Sequence, residues 1–315
     1  MNPQEPEVHP AWRAADAAPA VGIDLGGTKV HAGVVTPGGK LLGDARLATQ
    51  ADREAEAVLA NIVEAATRAL EMAGLDARET CGIGLGSPAP LDLEAGVILS
   101  PGNLPSLHGF PIVARLREAL GARVVLNNDA NCFGLAEARF GAGAGSRVCC
   151  GLTLGTGLGG FLVIEGEVYN GPHGAGMEVW CAPYMGEDVE ERVSGRGVSR
   201  NYHDLTGEQM EAQQIAERAR SGDKNASQAW RRFGRDLAAP VAYLCNVADP
   251  DVCVMGGSMS KAWDLFHDVM MAEATKHINP VTLEAVRIVP GSLGQEAGVL
   301  GAAALALEGR LPRKP

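Results

Sequence analysis

Residues 21–35 read V-G-I-D-L-G-G-T-K-V-H-A-G-V-V, and residues 151–165 read G-L-T-L-G-T-G-L-G-G-F-L-V-I-E. Each stretch is an apolar run, a short turn of Gly and Thr, and a second apolar run, the pattern of a β-hairpin closed by a tight turn. Glycine lets a backbone approach its ligand closely, Thr adds a hydroxyl, and successive N–H groups form a nest for an anion. Two such turns suit the phosphate chain of a nucleotide above other ligands. Their spacing of about 130 residues predicts two similar lobes facing one cleft.

The rest of the chain repeats that plan. After the first hairpin, 40–49 supplies a third strand. Residues 52–72 carry apolar positions at helical spacing (Val58, Ile62, Ala66, Leu70) and stop at Gly74. A short strand over 81–86 runs into Ser-Pro-Ala-Pro, a helix over 110–120 closes at Gly121, and a buried strand over 124–126 delivers Asn127-Asn128-Asp129 to a helix over 130–140. The second half follows with a hairpin over 148–165, a third strand at 167–169, and a less regular polar region to Gly207. Helices over 208–220 and 225–247 come next. A strand over 251–255 then enters Gly256-Gly257-Ser258, followed by a helix over 261–277, a strand over 286–289 and a small-residue helix over 297–307. Strands followed by alternating helices and strands, twice over, predict two α/β lobes in a βββαβαβα order. We expect a tail over 1–20, a first lobe over 21–130 and a second over 131–315, with the boundary falling between 130 and 146. The last helix, 297–308, is expected to return to the first lobe as a hinge.

Composition sets the limits. The 315 residues are 46% hydrophobic and 21% charged, enough for two cores of ordinary size. A net charge of −11 argues against nucleic acid or an anionic membrane as the main partner, and 4% aromatics leaves no evident platform for stacking bases. Neither excludes ATP, because a local nest binds phosphate whatever the overall charge. The seven cysteines (81, 132, 149, 150, 181, 245, 253) are odd in number, sit mostly in apolar runs and form no CxxC pair. They read as reduced core thiols of a cytoplasmic protein. Residues 1–20, rich in Pro, Ala and Glu, lack the basic start and apolar core of a signal peptide, and no stretch suits a membrane span. They read as a disordered tail, too short for a DNA-reading domain.

Three places carry chemistry. Asp24 precedes Gly26-Gly27-Thr28-Lys29; an ionised carboxylate beside a phosphate nest makes sense if a magnesium ion is shared with ATP oxygens, which leaves most of the ion's ligands to water and phosphate. A polar turn held by Asp and Thr side-chain bonds is the competing reading. The second turn, Leu154-Gly155-Thr156-Gly157-Leu158-Gly159-Gly160, is more specific, since a plain hairpin needs positive φ at only one or two positions. Asn128-Asp129 lies between the two turns, at a strand end and helix start. Asp129 there can cap the helix or act as general base toward a hydroxyl attacking the γ-phosphate. Asn131 and the flanking turns favour the base.

These motifs, in order, together with Ser194-Gly195, Gly256-Gly257 and Ala297-Gly298-Val299-Leu300-Gly301-Ala302-Ala303, resemble the ROK family of sugar kinases and sugar-responsive repressors. The resemblance covers nearly everything from 21 to 307. It implies the actin-like ATPase fold, with ATP and sugar in a cleft that closes on them, and a homodimer. It makes Asp129 the base for the sugar hydroxyl. Gly26, Gly27, Thr28 and Lys29, with Gly155, Thr156, Gly157 and Gly159, become the phosphate turns, and Gly256, Gly257 and Ser258 cover the adenine side. Ser87, Asn103, Asn128, Glu178 and Glu190 become sugar ligands, and Asp24 the metal's partner. One stretch departs from the family pattern. Where the family carries Gly-Glu-x-Gly-His and a run of zinc cysteines, residues 176–188 read G-M-E-V-W-C-A-P-Y-M-G-E-D. The His is absent and Glu178 is displaced by one. Cys181 with His173 falls short of the four ligands a structural zinc needs, so no such site is expected. Trp180 there offers a face to a sugar ring or packs a lobe. His31 reads as a packed strand residue, and His108 as a loop residue that nothing in the spacing ties to the sugar.

The expected activity is ATP- and magnesium-dependent phosphorylation of a hexose, glucose at its 6-hydroxyl first. An N-acetylhexosamine, mannose or fructose kinase stays open, as do a non-catalytic sugar sensor and polyphosphate as donor.

Overall fold

The computed structural model describes residues 18–99 and 102–307, so the expected tail falls almost wholly outside the described residues. Contacts divide the chain into two compact units: 18–145 with 166–176 and 295–307, and 146–165 with 177–294.

The first unit opens with an antiparallel meander of β1 (Ala20–Leu25), β2 (Lys29–Val35) and β3 (Leu41–Ala48), in which Asp24 faces His31 and Leu25 faces Val30. Helix α1 (Ala55–Ala73) buries Val58, Leu59, Ile62, Ala65, Ala66, Ala69 and Leu70, one stripe at helical period, against β2 and β3. It ends where Gly74, at φ 69°, turns its N–H back onto the carbonyls of Leu70 and Glu71. Then come β4 (Ile83–Ser87), the small ribbon of β5 (Leu91–Asp92) and β6 (Val97–Ile98), α2 (Ile112–Leu120), β7 (Val124–Asn128) and α3 (Asp129–Phe140). The sheet order is β3-β2-β1-β4-β7, with β1, β4 and β7 parallel.

The second unit starts with the hairpin of β8 (Val148–Leu154) and β9 (Leu158–Ile164). Strand β10 (Glu167–Val168) lies in the segment 166–176, which belongs to the first unit. The second unit continues through the ribbon of β11 (Pro183–Tyr184) and β12 (Glu187–Asp188), α4 (Val189–Arg192), α5 (Gly195–Thr206), α6 (Ala212–Arg220) and α7 (Lys224–Ala248). After these follow β13 (Val252–Gly256), α8 (Trp263–Ala274), α9 (Pro280–Ala285) and β14 (Arg287–Pro290). Within the unit the strand order β9-β8-β13-β14 repeats the β2-β1-β4-β7 of the first, parallel pairs included. Its core is aromatic: Trp230, Phe233 and Phe266 meet with ring centroids 5.3–6.0 Å apart where α7 packs on α8.

Helix α10 (Ala297–Leu307) is buried along almost its whole length and packs on α3, β1 and β4 of the first unit. That contact is at backbone distance. A Cβ on Gly84 would overlap the carbonyl oxygen of Ala302, and one on Gly301 the carbonyl oxygen of Cys132. Small residues on both sides let α3 and α10 lock together, which extends the first unit to 145, past position 130, and brings the last helix into it. The polar stretch before Gly207 holds a regular element that periodicity hides: α5 buries only Gly197, Val198 and Tyr202, with Leu205 half-buried against the core, and most of its remaining surface is polar. No helix among the described residues is long and apolar enough to cross a membrane.

Candidate active site

The first turn is closed by its own backbone. The Gly26 N–H donates to the Lys29 carbonyl at 3.0 Å, and the Gly26 carbonyl accepts from Thr49 Oγ1 at 2.6 Å. This leaves the amides of Gly27 and Thr28 as the donors the turn can offer, with Thr28 and Lys29 exposed beside them. Behind it, a Cβ on Gly27 would stand 2.9 Å from the Asn103 carbonyl and 3.2 Å from Asn103 Nδ2. The turn and the expected sugar ligand Asn103 are thus in contact, and glycine is what permits it. Ser100 and Pro101, which precede Asn103, lie outside the described residues.

Asp24 stands at the end of β1. A Cβ on Gly298 would come 2.6 Å from its Cγ, so the first turn of α10 closes over the carboxylate, where the positive end of a helix favours negative charge. Burial first, and then the charge of Asp129, push its pKa up to about 6, partly opposed by Lys29. Two carboxylates close enough to oppose each other's ionisation, beside amides that can take phosphate, form a donor set that a divalent cation relieves. Among the described residues no three His, Cys, Asp or Glu side chains converge to hold a metal by themselves. An ion here would therefore take Asp24 together with water and substrate oxygens.

Of the two roles weighed for Asp129, the cap falls to its neighbour. Asn128, not Asp129, is the N-cap of α3: its Oδ1 accepts from the N–H of Ala130 at 2.8 Å and of Asn131 at 3.4 Å. Asp129, exposed at the first helical position, accepts with its Oδ1 from the Ala130 N–H at 2.7 Å. With Oδ1 of Asn128 committed, its Nδ2 is the atom it can present to a ligand. Asn131 has a supporting task. Its buried amide donates to Asn127 Oδ1 at 3.0 Å and Asn170 Oδ1 at 3.3 Å, which ties the start of α3 to its strand and to the 166–176 segment. Ser87 is fully buried at the end of β4, paired in register with Asn128.

The second turn is also closed by its first glycine, one residue tighter than the first turn and with a backbone rather than a side-chain donor on the carbonyl. The Gly155 N–H donates to the Gly157 carbonyl at 3.0 Å, and the Gly155 carbonyl accepts from the Gly195 N–H at 2.8 Å. The amides of Thr156 and Gly157 remain. None of Gly26, Gly27, Gly155, Gly157, Gly159 and Gly160 takes a positive φ. The turns therefore need glycine for close approach, not for left-handed backbone. A Cβ on Gly157 would stand 2.7 Å from Glu190 Oε2, which accepts the Leu158 N–H at 2.9 Å. One on Gly160 would meet the Met177 carbonyl at 2.5 Å. Gly257 follows β13 at φ 82° and packs on Leu154, and Ser258 Oγ lies 3.8 Å from the place of a Gly155 Cβ. Gly256 closes β13 opposite Thr153.

Beside this turn a cavity of about 820 Å³ opens within the second unit, lined among others by Thr156, Arg196, Arg200, Trp230, Ser258 and Lys261. Its size falls in the range of small-molecule sites. Sequence reasoning missed Arg196, Arg200, Trp230 and Lys261. The one available signal was the i, i+4 pair of arginines that follows Ser194-Gly195 at the start of α5. Arg196 donates to Glu190 Oε1 at 2.7 Å and to Glu191 Oε1 at 3.0 Å, while Arg200 clasps both oxygens of Glu187 at 2.9 and 3.0 Å.

The divergent segment folds on itself. Met177 takes φ 67°, unfavourable for a residue with a Cβ. The adjacent Glu178 carboxylate accepts the Trp180 indole N–H, and Cys181 Sγ lies 3.3 Å from the Glu178 carbonyl. The ribbon that follows is held by Glu187 between Arg192 and Arg200, and by Tyr184, whose hydroxyl lies 3.3 Å from Asp236. His31 is buried with Nε2 2.9 Å from Asp44 Oδ2, a packed strand residue, and His108 is exposed.

Comparison with known proteins converges on one group. The ROK family model matches residues 20–309. The glucokinase of Thermotoga maritima is 31% identical over 312 residues, spanning 91% of this chain and 97% of that one. The N-acetyl-D-glucosamine kinase of Vibrio cholerae is 33% identical over 306 residues, spanning 90% and 98%. Among solved structures, a ROK family glucokinase from Streptomyces griseus in complex with glucose and AMPPNP aligns with a TM-score of 0.78 at 28% identity, over 91% of this chain and 98% of its own. The paired α/β units are those of the actin-like ATPase fold.

Proposed function

We propose that this chain, which belongs to the ROK family and is a sugar kinase, transfers the γ-phosphoryl group of ATP to the 6-hydroxyl of glucose, with Asp129 as general base. The observation that carries the reading is the division of labour at the start of α3. Asn128 takes the cap, and the exposed Asp129 carboxylate is close enough to Asp24 to oppose its ionisation. A hydroxyl that hydrogen-bonds Asp129 gives it its proton as the oxygen attacks phosphorus. In such reactions positioning and charge neutralisation dominate, and a base adds ~10²–10⁴ in rate.

The donor's phosphates are assigned to the amides of Gly27 and Thr28 and of Thr156 and Gly157, and its nucleoside to the cavity of the second unit, with Ser258 at its edge. Asp24 is the side chain that would hold magnesium, by way of water. The ion, when bound, neutralises phosphate charge there. Asn103, Asn128, Glu190 and Glu178 are assigned to the sugar, with the fully buried Ser87 supporting the loop beneath it: amides and carboxylates read neutral hydroxyls and penalise a sugar that leaves one unpaired. Seven free cysteines suit a reducing compartment, and we assign the chain to the cytoplasm.

An N-acetylhexosamine is the second reading. It is favoured by the 33% identity to an N-acetyl-D-glucosamine kinase and by the exposed Trp180 next to Glu178. The test is a panel of glucose, mannose, fructose, N-acetylglucosamine and N-acetylmannosamine with ATP and magnesium, reading ADP release. Glucose is expected to give the highest kcat/KM. Preference for an acetamido sugar would select the second reading, and no stimulation by any sugar would reject both.

A further inference from the structure

Glu190 has both carboxylate oxygens in use. Oε2 accepts the Leu158 N–H of the second turn at 2.9 Å, and Oε1 accepts Arg196 Nη2 at 2.7 Å. Arg196 is the second residue of α5, the end at which the helix dipole disfavours a cation. Glu190 and Glu191 offset that cost, and the guanidinium is shared between them. The same side chain lines the 820 Å³ cavity with Gly155, Thr156 and Ser258, so an anion entering there meets a cation otherwise held by Glu190 and Glu191. Arg196 is also about half exposed, at 53%, and free to change partner.

We propose that Arg196 is a positioning residue that couples the two substrates: it occupies Glu190 Oε1 while the cavity is empty, and the donor's phosphates draw it away, leaving that oxygen to accept a sugar hydroxyl. The inference rests on the assignment of Glu190 to the sugar and of the cavity to the nucleotide. No bond is made or broken; one hydrogen-bond donor exchanges one anionic acceptor for another. The consequence is thermodynamic. The nucleotide tightens sugar binding, and by reciprocity sugar tightens nucleotide binding by the same factor.

Calorimetric titration of glucose and of N-acetylglucosamine, with and without saturating AMPPNP and magnesium, tests it. The wild-type sugar Kd should fall about fivefold or more when AMPPNP is bound, within the usual span of such couplings. In Arg196→Gln the ratio should lie within about twofold of one, and the sugar Kd without nucleotide should equal or undercut the wild type's, because Oε1 is already open. Arg196→Lys, which keeps the charge but loses the fork, should retain part of the ratio. A merely structural arginine would give a different pattern, weaker sugar binding under both conditions with the ratio intact. That pattern, or a wild-type ratio of one, overturns the coupling while leaving the kinase reading in place. Failure of the wild type to bind either sugar or AMPPNP overturns the kinase reading itself.

Discussion

The turn at Gly26 and the turn at Gly155 are each closed by their first glycine, over three residues in one and two in the other, and differ more in what stands behind them. In both, the first glycine's N–H closes the turn, its carbonyl is held by an outside donor (Thr49 in one, Gly195 in the other), and the next two amides are left open. Two residues before the first glycine, however, one unit has Asp24 and the other Thr153. The first turn is backed by a pair of carboxylates, Asn103 and the start of α10. The second is backed by Glu190, the 177–179 segment and a cavity flanked by arginines. The duplicated fold repeats the turn and varies its surroundings: on the proposed reading, the reacting carboxylates belong to one unit and the space for a nucleoside to the other.

The largest break in that comparison is expected from Asp129→Asn. Steady-state kinetics should show kcat falling ~10²–10⁴-fold while glucose binding by calorimetry persists. More than a few per cent of residual kcat would move the base elsewhere.

Asp24→Asn should act in opposite directions on stability and activity. In the folded protein without magnesium, burial and Asp129 raise the Asp24 pKa to about 6. The native state therefore holds that proton more tightly than the unfolded chain. Ionising Asp24 costs increasing stability as pH rises through about 4 to 6, reaching up to about 3 kcal/mol by pH 8. Denaturant unfolding in EDTA should find Asp24→Asn more stable than wild type at pH 8, with the gap closing toward pH 4, while phosphorylation at saturating magnesium declines. A gap independent of pH would mean that Asp24 is not under this strain.

Gly157→Ala and Gly27→Ala sharpen the contrast between a turn's face and its back. The added methyl would meet Glu190 in one and Asn103 in the other. Each should raise the sugar KM about tenfold with the nucleotide KM changed by less than about twofold. A larger change in the nucleotide KM would return these glycines to the phosphate alone.

The smallest effect belongs to Trp180→Phe, which keeps the ring and removes the indole N–H from Glu178. A two- to fivefold rise in sugar KM is expected for one lost hydrogen bond to a carboxylate at an exposed place. No change would leave Trp180 as packing only.

Much of this was visible in the letters because local physics announced it. The hairpins of β1–β2 and β8–β9, the stripe of α1 with Gly74 behind it, and the small-residue run of α10 all follow from period and turn chemistry. Helix α5 was hidden because its buried positions are few and two of them are Gly197 and Tyr202, in a stretch whose charges mask the period. The capping exchange at Asn128 and Asp129 was ambiguous because both side chains suit an N-cap, and only geometry chooses. The cavity could not be read at all. Its lining runs from Gly155 to Ala262, and nothing local in the chain declares that these residues converge. The glycine-rich turns were legible as motifs, yet the reason for glycine was not. Close approach to a ligand was the expectation, and the structure shows close approach of the protein's own Asn103 and Glu190 behind the turns, with no positive φ at these glycines.

Backbone amide NMR shifts on addition of AMPPNP and magnesium test the division between the turns most directly. The amides of Gly27, Thr28, Thr156 and Gly157 should all move, while those of Gly26 and Gly155, already closed within their turns, move far less. Shifts confined to one turn, or largest at Gly26 and Gly155, would contradict the account.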